Sequence, residues 1–325
     1  MNHASDPRIR TAFVLGAGLG TRLRPLTDVV PKPLFPIFGK PVITFAMDHL
    51  IAYGVERFVI NAHHLPQQFL DLFGSGFYRG REVQVVVEPA LLETGGGIKN
   101  AADLLGEEPF FVYSGDILTD IDLDRLVRTH FSGDCGATLA LRRTGLSTDI
   151  SFKEEKGLIA DVRQKLGSGI PGNFDFANVS IWSREAVARI PGGQKIGFIP
   201  VLVDWMGTGA RVGGVELAEG RWFNLGNRSE YLRLHKVVGE EDWRPRYLSG
   251  LRWPVKMDPS SQVAPQVEIG ADSWVGPNCL IGSGVKLHNA IVWPNSVLRE
   301  QVELTGCVVA GKEIETGIFA DRDFV

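Results

Sequence analysis

Along the first 145 or so positions, apolar residues fall into two alternating patterns. Short runs rich in β-branched side chains, Thr11–Leu15, Arg57–Ile60, Val83–Val87, Phe110–Tyr113 and Ala137–Leu141, read as buried strands. Between them, Pro41–Tyr53, Pro66–Phe73, Gly97–Leu105 and Leu123–Phe131 carry apolar residues at helical spacing. Strict alternation predicts βαβ units, hence an α/β domain with a mainly parallel sheet covered on both faces. Ligands of such sheets sit beyond the carboxyl ends of the strands, so loops that follow strands are the first place to look for chemistry.

From Ile150 to about His235 the pattern loosens. Phe176–Trp182, Arg211–Glu216 and Trp222–Leu225 read as strands, and Ser183–Ile190, Phe198–Met206 and Asn227–Val238 as helices. A polar stretch, Gly239–Ser261, reads as a linker. Beyond it the period changes to six: Val263, Ile269, Val275, Ile281 and Leu287, with Gly270, Gly276 and Gly282 each following a member. A period of six predicts a hexapeptide β-solenoid of just under about three triangular coils, one aliphatic per unit filling the interior. The expected division is an α/β domain over 1–240, a linker over 241–261 and a β-helix over 262–325.

Charge narrows the function classes. With 34 Lys+Arg against 38 Asp+Glu and a formal charge of −4, the chain lacks the electrostatic footprint of a nucleic-acid or anionic-membrane binder. No apolar run approaches the ~20 residues that span a bilayer, and the opening Met1–Pro7 lacks a signal-peptide core. Cys135, Cys279 and Cys307 form neither a disulfide framework nor a zinc pattern, and the seven histidines show no metal spacing. A soluble cytoplasmic protein is expected.

The sharpest motif follows the first strand: Leu15-Gly16-Ala17-Gly18-Leu19-Gly20-Thr21-Arg22-Leu23-Arg24-Pro25, then Pro31-Lys32-Pro33-Leu34. Glycines there can turn backbone N–H groups toward phosphate oxygens. Thr21 stands where a dinucleotide fingerprint has its third glycine, and no lysine follows as a P-loop demands. Two fixed cations, Arg22 and Lys32, beside a glycine nest suit a triphosphate that would otherwise repel an anionic nucleophile.

This loop, with Lys32 in Pro-Lys-Pro-Leu and with Tyr113-Ser114-Gly115-Asp116, resembles the sugar-1-phosphate nucleotidyltransferases (NDP-sugar pyrophosphorylases) over roughly Arg10 to His235. Leu92-Glu93-Thr94-Gly95-Gly96-Gly97-Ile98 is most similar to N-acetylmuramate-1-phosphate uridylyltransferases, whereas the C-terminal hexapeptides look more like mannose-1-phosphate guanylyltransferases. The resemblance implies a Rossmann-like nucleotidyltransferase domain followed by a short left-handed β-helix. It also implies uridylyl or guanylyl transfer from an NTP to a sugar 1-phosphate, with Mg2+ as cofactor. By the same resemblance, Leu15, Gly16, Ala17, Gly18, Gly20 and Thr21 hold the nucleotide, with Arg22 on the leaving pyrophosphate and Lys32 on the reacting phosphates. Asp116 is the metal ligand, Glu88 and Gly96 border the base, and Lys165 and Asn178 hold the sugar phosphate.

One departure matters. The family normally reads Trp-x-Asp-x-Gly where this chain has Trp222-Phe223-Asn224-Leu225-Gly226, so its second metal aspartate is Asn224. Three outcomes are open: a working enzyme with a weaker metal site, a regulatory subunit that binds nucleotide with little turnover, or recruitment of another acid such as Asp175. Asp120 and Asp122 are expected as turn and N-cap residues. The solenoid also raises a hexapeptide acyltransferase, disfavoured because His288 is its one histidine. A homo-oligomer is expected, since a solenoid end invites pairing.

Overall fold

The computed structural model describes residues 8–241 and 243–325; the opening segment examined for a signal sequence, with His3, lies outside them. By contact the chain divides into two compact units. One comprises the described residues up to Gly18 together with Ala46–Trp222, the other Leu19–Phe45 together with Phe223–Val325.

The first unit is built on ten strands: β1 (Thr11–Leu15), β2 (Arg57–Ala62), β3 (Phe77–Tyr78), β4 (Arg81–Val87), β5 (Phe110–Ser114), β6 (Ala137–Arg142), β7 (Ile150–Lys153), β8 (Leu158–Val162), β9 (Asp175–Trp182) and β10 (Val212–Glu216). Their spatial order is β7-β8-β10-β6-β9-β5-β1-β2-β4-β3. Parallel pairing joins β5-β1-β2-β4 and β6-β10, while β9 lies antiparallel between β5 and β6. The sheet is therefore mixed but mainly parallel, with β3, β8 and β9 running against the rest. Phe13, Val59, Phe110, Val112, Leu139 and Trp182 fill its core, each contributing on the order of 1.5–3 kcal/mol by leaving water. The consequence for function is directional. The loops after β1, β2, β4 and β5 emerge from one edge, the carboxyl edge.

Two expectations are corrected. The helix read as Gly97–Leu105 begins at Glu93: α1 (Glu93–Asn100) runs through all three glycines, and a separate turn, Ala102–Leu105, follows. The hairpin β7–β8 was not anticipated, because Glu154-Glu155-Lys156-Gly157 breaks its apolar pattern into two short pieces.

In the second unit the period-six segment forms three parallel sheets of four strands each. Val263, Ile281, Leu298 and Ile314 stack in register on one side. Four rungs result, more than the three coils expected, because the spacing contracts from 18 residues to 17 and then 16, which hides the later turns from a strict six-residue count. Val275, Cys279, Val285, Leu287, Leu304 and Cys307 line the interior. Within the same unit Phe35 packs on Tyr231 of α2 (Arg228–Glu240) and on Trp293 of the solenoid. Tyr231 Oη donates to Pro36 O (2.8 Å) and accepts from Trp293 Nε1 (3.1 Å). Trp253, in the stretch read as a linker, donates to Ile37 O at 2.9 Å.

Candidate functional site

In the first unit the glycine loop starts where β1 ends. Leu15 O accepts from Gly115 N at 2.9 Å, which ties the loop to the turn bearing Asp116. Gly16 N donates to the Asn61 side-chain oxygen at 2.9 Å. A Cβ on Gly16 would lie 2.5 Å from Asn61 O, so only glycine fits there. Ala17 is buried, whereas Gly18 is exposed with open space on its Cβ side, the one position of the loop a ligand can approach without a side chain in the way.

Glu88, read from the resemblance as a base contact, is 1% exposed, and both its oxygens are engaged by Asn61 Nδ2 (2.8 Å) and Leu92 N (3.2 Å). Gly96 N donates to Ile196 O at 2.9 Å. The three glycines of α1 serve clearance. A Cβ would meet Ile196 O at 2.9 Å from Gly95, Gln194 O at 2.4 Å from Gly96, and Asn61 Nδ2 at 2.7 Å from Gly97. Each costs the helix about 1 kcal/mol relative to alanine, which close packing offsets.

Asp116 is half-buried in the turn after β5. Asp122 caps the helix Leu123–Ser132 by accepting from Arg125 N (3.0 Å), the cap role expected of it, whereas Asp120, expected in a turn, instead accepts from the distant Arg221 N (2.6 Å). Asp175 is fully committed. Its carboxylate accepts from Thr144, Ser147 and Thr148 through N–H and O–H donors at 2.6–3.1 Å. Burial pushes its pKa up, but those donors outweigh burial and hold it below the usual carboxylate range. An acid so occupied is not available as a replacement metal ligand.

Lys165 stands on an exposed loop whose backbone is held by Asp161, accepting from Leu166 N (3.0 Å) and Ser168 N (2.9 Å). Asn178 lies inside β9 at φ 61°, where the ladder to β6 shifts register between Phe176 and Ser180. Asparagine tolerates this left-handed conformation better than most residues, and such bulges re-aim a side chain.

In the second unit Gly20 has φ 62°, and a Cβ there would come 2.8 Å from Thr27 Cγ2 and 3.2 Å from Lys32 Cβ. Its carbonyl accepts from Leu23 N and Thr27 Oγ1. That tight turn brings Thr21, exposed at the start of a short 3-10 turn, into the same corner as Lys32. Arg22 is exposed, and its guanidinium lies over Gly226, with Nη2 3.6 Å from the Cβ position. Arg22 therefore meets the Asn224-Leu225-Gly226 turn. Asn224 Oδ1 is buried and has no hydrogen-bond partner among the described residues. An orphaned acceptor costs on the order of 1–3 kcal/mol and calls for a missing donor or cation.

Mg2+ takes hard oxygen ligands, one or two from carboxylates and the rest from water and substrate phosphates. Asp116 in the first unit is a carboxylate, and Asn224 in the second has an amide oxygen unpaired among the described residues; each by itself is a donor of that type. Among the described residues no group of three or more His, Cys, Asp or Glu side chains is placed to hold a metal by itself.

Asn61 was not among the residues singled out from sequence. Its signal was available: a polar residue at the carboxyl end of the strand Arg57-Phe-Val-Ile-Asn61-Ala, directly after three apolar positions.

Comparison with known proteins gives a consistent answer. The family model for nucleotidyl transferases matches residues 11–149. A mannose-1-phosphate guanylyltransferase of Mycobacterium tuberculosis is 29% identical over 310 residues, covering 92% of this chain and 82% of the relative. An N-acetylmuramate alpha-1-phosphate uridylyltransferase of Neisseria meningitidis is 37% identical over 221 residues, covering 66% of this chain and 92% of the relative. In fold, the inositol-1-phosphate CTP transferase of T. maritima aligns with a TM-score of 0.59 at 19% identity, over 73% of this chain and 99% of that one. With the glycine loop at the carboxyl edge of the sheet and a 37% identical relative matched over nearly its whole length, the chain belongs to the sugar-1-phosphate nucleotidyltransferase family.

Proposed function

We propose that the chain transfers a nucleoside monophosphate from an NTP to a sugar 1-phosphate. A phosphate oxygen of the sugar 1-phosphate forms a bond to the α-phosphorus, the α–β bridging P–O bond breaks, and pyrophosphate leaves with the bond's electron pair. Two polyanions must be held in line, so positioning and charge neutralisation supply most of the rate. The exposed face of the loop at Gly18 admits the phosphates, Arg22 and Lys32 supply positive charge to the pyrophosphate side, and Lys165 and Asn178 hold the sugar phosphate. Asp116 would be the carboxylate for Mg2+, which when bound neutralises phosphate charge, and Asn224 stands at the motif position of the family's second metal acid. The observation that carries this reading is the unpartnered Asn224 oxygen in the very turn that Arg22 covers.

The same residue favours a second reading, a nucleotide-binding subunit with little turnover, because an amide replaces a full negative charge. Pyrophosphate release from UTP, GTP and dTTP with a panel of sugar 1-phosphates and Mg2+ separates the two. Turnover with any pair, abolished by Asp116→Ala and increased by Asn224→Asp at low Mg2+, supports the enzyme. Nucleotide binding with no turnover in the native chain supports the second reading, and neither binding nor turnover ends both. The base and sugar are open to the same panel. A homo-oligomer formed through the solenoid is supported by Ile318, 78% exposed on the last rung.

A further inference from the structure

The loop after β1 and the helix α1 are joined through two buried side chains that the reaction itself does not use. Asn61, 2% exposed, accepts from Gly16 N through Oδ1 and donates through Nδ2 to Glu88 Oε1; Glu88 Oε2 then accepts from Leu92 N, at the start of α1. Gly97 closes over the pair, because a Cβ there would sit 2.7 Å from Asn61 Nδ2 and 2.8 Å from Glu88 Oε1. The Glu88 main chain is fixed as well, its N donating to Ala62 O (2.7 Å) and its O meeting His63 Nδ1 (2.8 Å). Three loops at the carboxyl edge, those after β1, β2 and β4, thus share one chain of hydrogen bonds.

Stability alone gives a poor account of this pair. A buried carboxylate that no lysine or arginine meets among the described residues is an expensive brace. An apolar pair would fill the space at lower cost, but it could not hold Gly16 N and Leu92 N at fixed positions. We infer that Asn61 and Glu88 are positioning residues for the nucleotide: they lock the phosphate loop and the first turn of α1 into one geometry, so that triphosphate and base are gripped together. The inference rests on the nucleotide-binding reading of the glycine loop.

The donor pattern supplies a sharp test. Glu88→Gln keeps shape but presents an NH2 either to Asn61 Nδ2 or to Leu92 N, whichever way it is flipped, so one bond is lost. Asn61→Asp places a second acceptor against Glu88. The pair Asn61→Asp/Glu88→Gln reverses the direction of the middle bond and satisfies every group again at unchanged net charge. The measurements are calorimetric Kd values for UTP, GTP and dTTP with Mg2+ on the full chain, and KM for the sugar 1-phosphate. Each single variant is expected to weaken the nucleotide that binds best by about 10-fold or more, to leave KM for the sugar 1-phosphate within twofold, and to be rescued by the pair to within about threefold of the native Kd. Single variants that bind nucleotide within twofold of native, or a pair no better than the singles, would overturn the inference. If the native chain binds NTP but transfers nothing, the proposed activity fails and this inference is still judged on Kd. If it binds no NTP, both fail.

Discussion

Three buried histidines set how this protein responds to mild acid. His49 and His130 in the first unit and His235 in the second are each lowered to about 4, mainly because burial disfavours the charged ring. Local geometry agrees at His235. Its Nε2 meets Pro36 O at 3.1 Å, so Nε2 carries the proton, while Nδ1 is buried with no hydrogen-bond partner among the described residues and Phe38 stacks on the ring. A second proton on Nδ1 would be a buried donor facing nothing. Because the folded pKa lies below the unfolded value of about 6.5, each histidine's contribution is fully present above pH 6.5. It is lost as pH falls through the window from 6.5 to 4, where the unfolded chain takes up protons that the folded chain refuses. Between pH 7 and 5 each costs about 1.8 kcal/mol, and the three together about 5.5 kcal/mol, a large share of a typical folding free energy of about 5–15 kcal/mol.

The carboxylates do not confuse that window. Asp161, Asp175 and Asp258 are lowered, so their contribution is present above about 3.8 and is lost only in stronger acid. The assay is the urea midpoint followed by tryptophan fluorescence from pH 7 to 5, with proton uptake on unfolding measured in weakly buffered solution. Uptake approaching three protons at pH 5, and a shallower pH slope in each single His→Gln variant, are expected. A midpoint that stays level from pH 7 to 5, or variants that leave the slope untouched, would refute the assignment of buried neutral rings.

Two further outcomes follow from the hydrogen bonds. Tyr231→Phe strips the acceptor from Trp293 Nε1 while Pro36 O keeps His235, so one buried N–H is orphaned; urea unfolding monitored by tryptophan fluorescence should show a loss of about 1–3 kcal/mol, and an unchanged midpoint would contradict the contact. Asp175→Asn sets an NH2 against donors from Thr144, Ser147 or Thr148; amide hydrogen exchange at Ser147 and Thr148 should accelerate about 10-fold or more, with the Mg2+ dependence of activity unaltered, and a shifted Mg2+ optimum would restore Asp175 as a metal ligand.

The chain shows in its sequence what is periodic and local, and hides what depends on distant partners. β1 was readable to the residue, because Thr11–Leu15 is apolar and β-branched between charged and glycine-rich neighbours. The cap at Asp122 was equally local. Glycines 95–97 were different: their presence was visible, but the backbone that crowds Gly95 and Gly96 lies at Gln194 and Ile196, about a hundred residues on. Asn178 was named through the resemblance, but nothing in Phe176-Ala-Asn178-Val announces the register break that gives it a positive φ. Asn224, in contrast, was identified by its departure from a pattern, and only the fold adds that its oxygen has no partner among the described residues.

The least legible feature is which parts of the chain cohere. Leu19–Phe45 follows directly on the glycine loop, yet its contacts group it with the solenoid and α2. The physical reason is a run of aromatic and carbonyl contacts beginning three residues after Lys32: Phe35 against Tyr231 and Trp293, Pro36 O beneath Tyr231 and His235, Ile37 O under Trp253. Each partner is a large side chain more than 190 residues away in sequence; Tyr231, His235 and Trp253 bond the main chain of the strand that leaves the Lys32 turn, and Trp293 packs on Phe35. A lysine between prolines is stiff locally, but local stiffness fixes a direction only if the next residues are anchored. Trp253 and Trp293 provide that anchor, which makes the hexapeptide coils part of how Lys32 is held and gives them a role in this fold that acyl transfer would not explain.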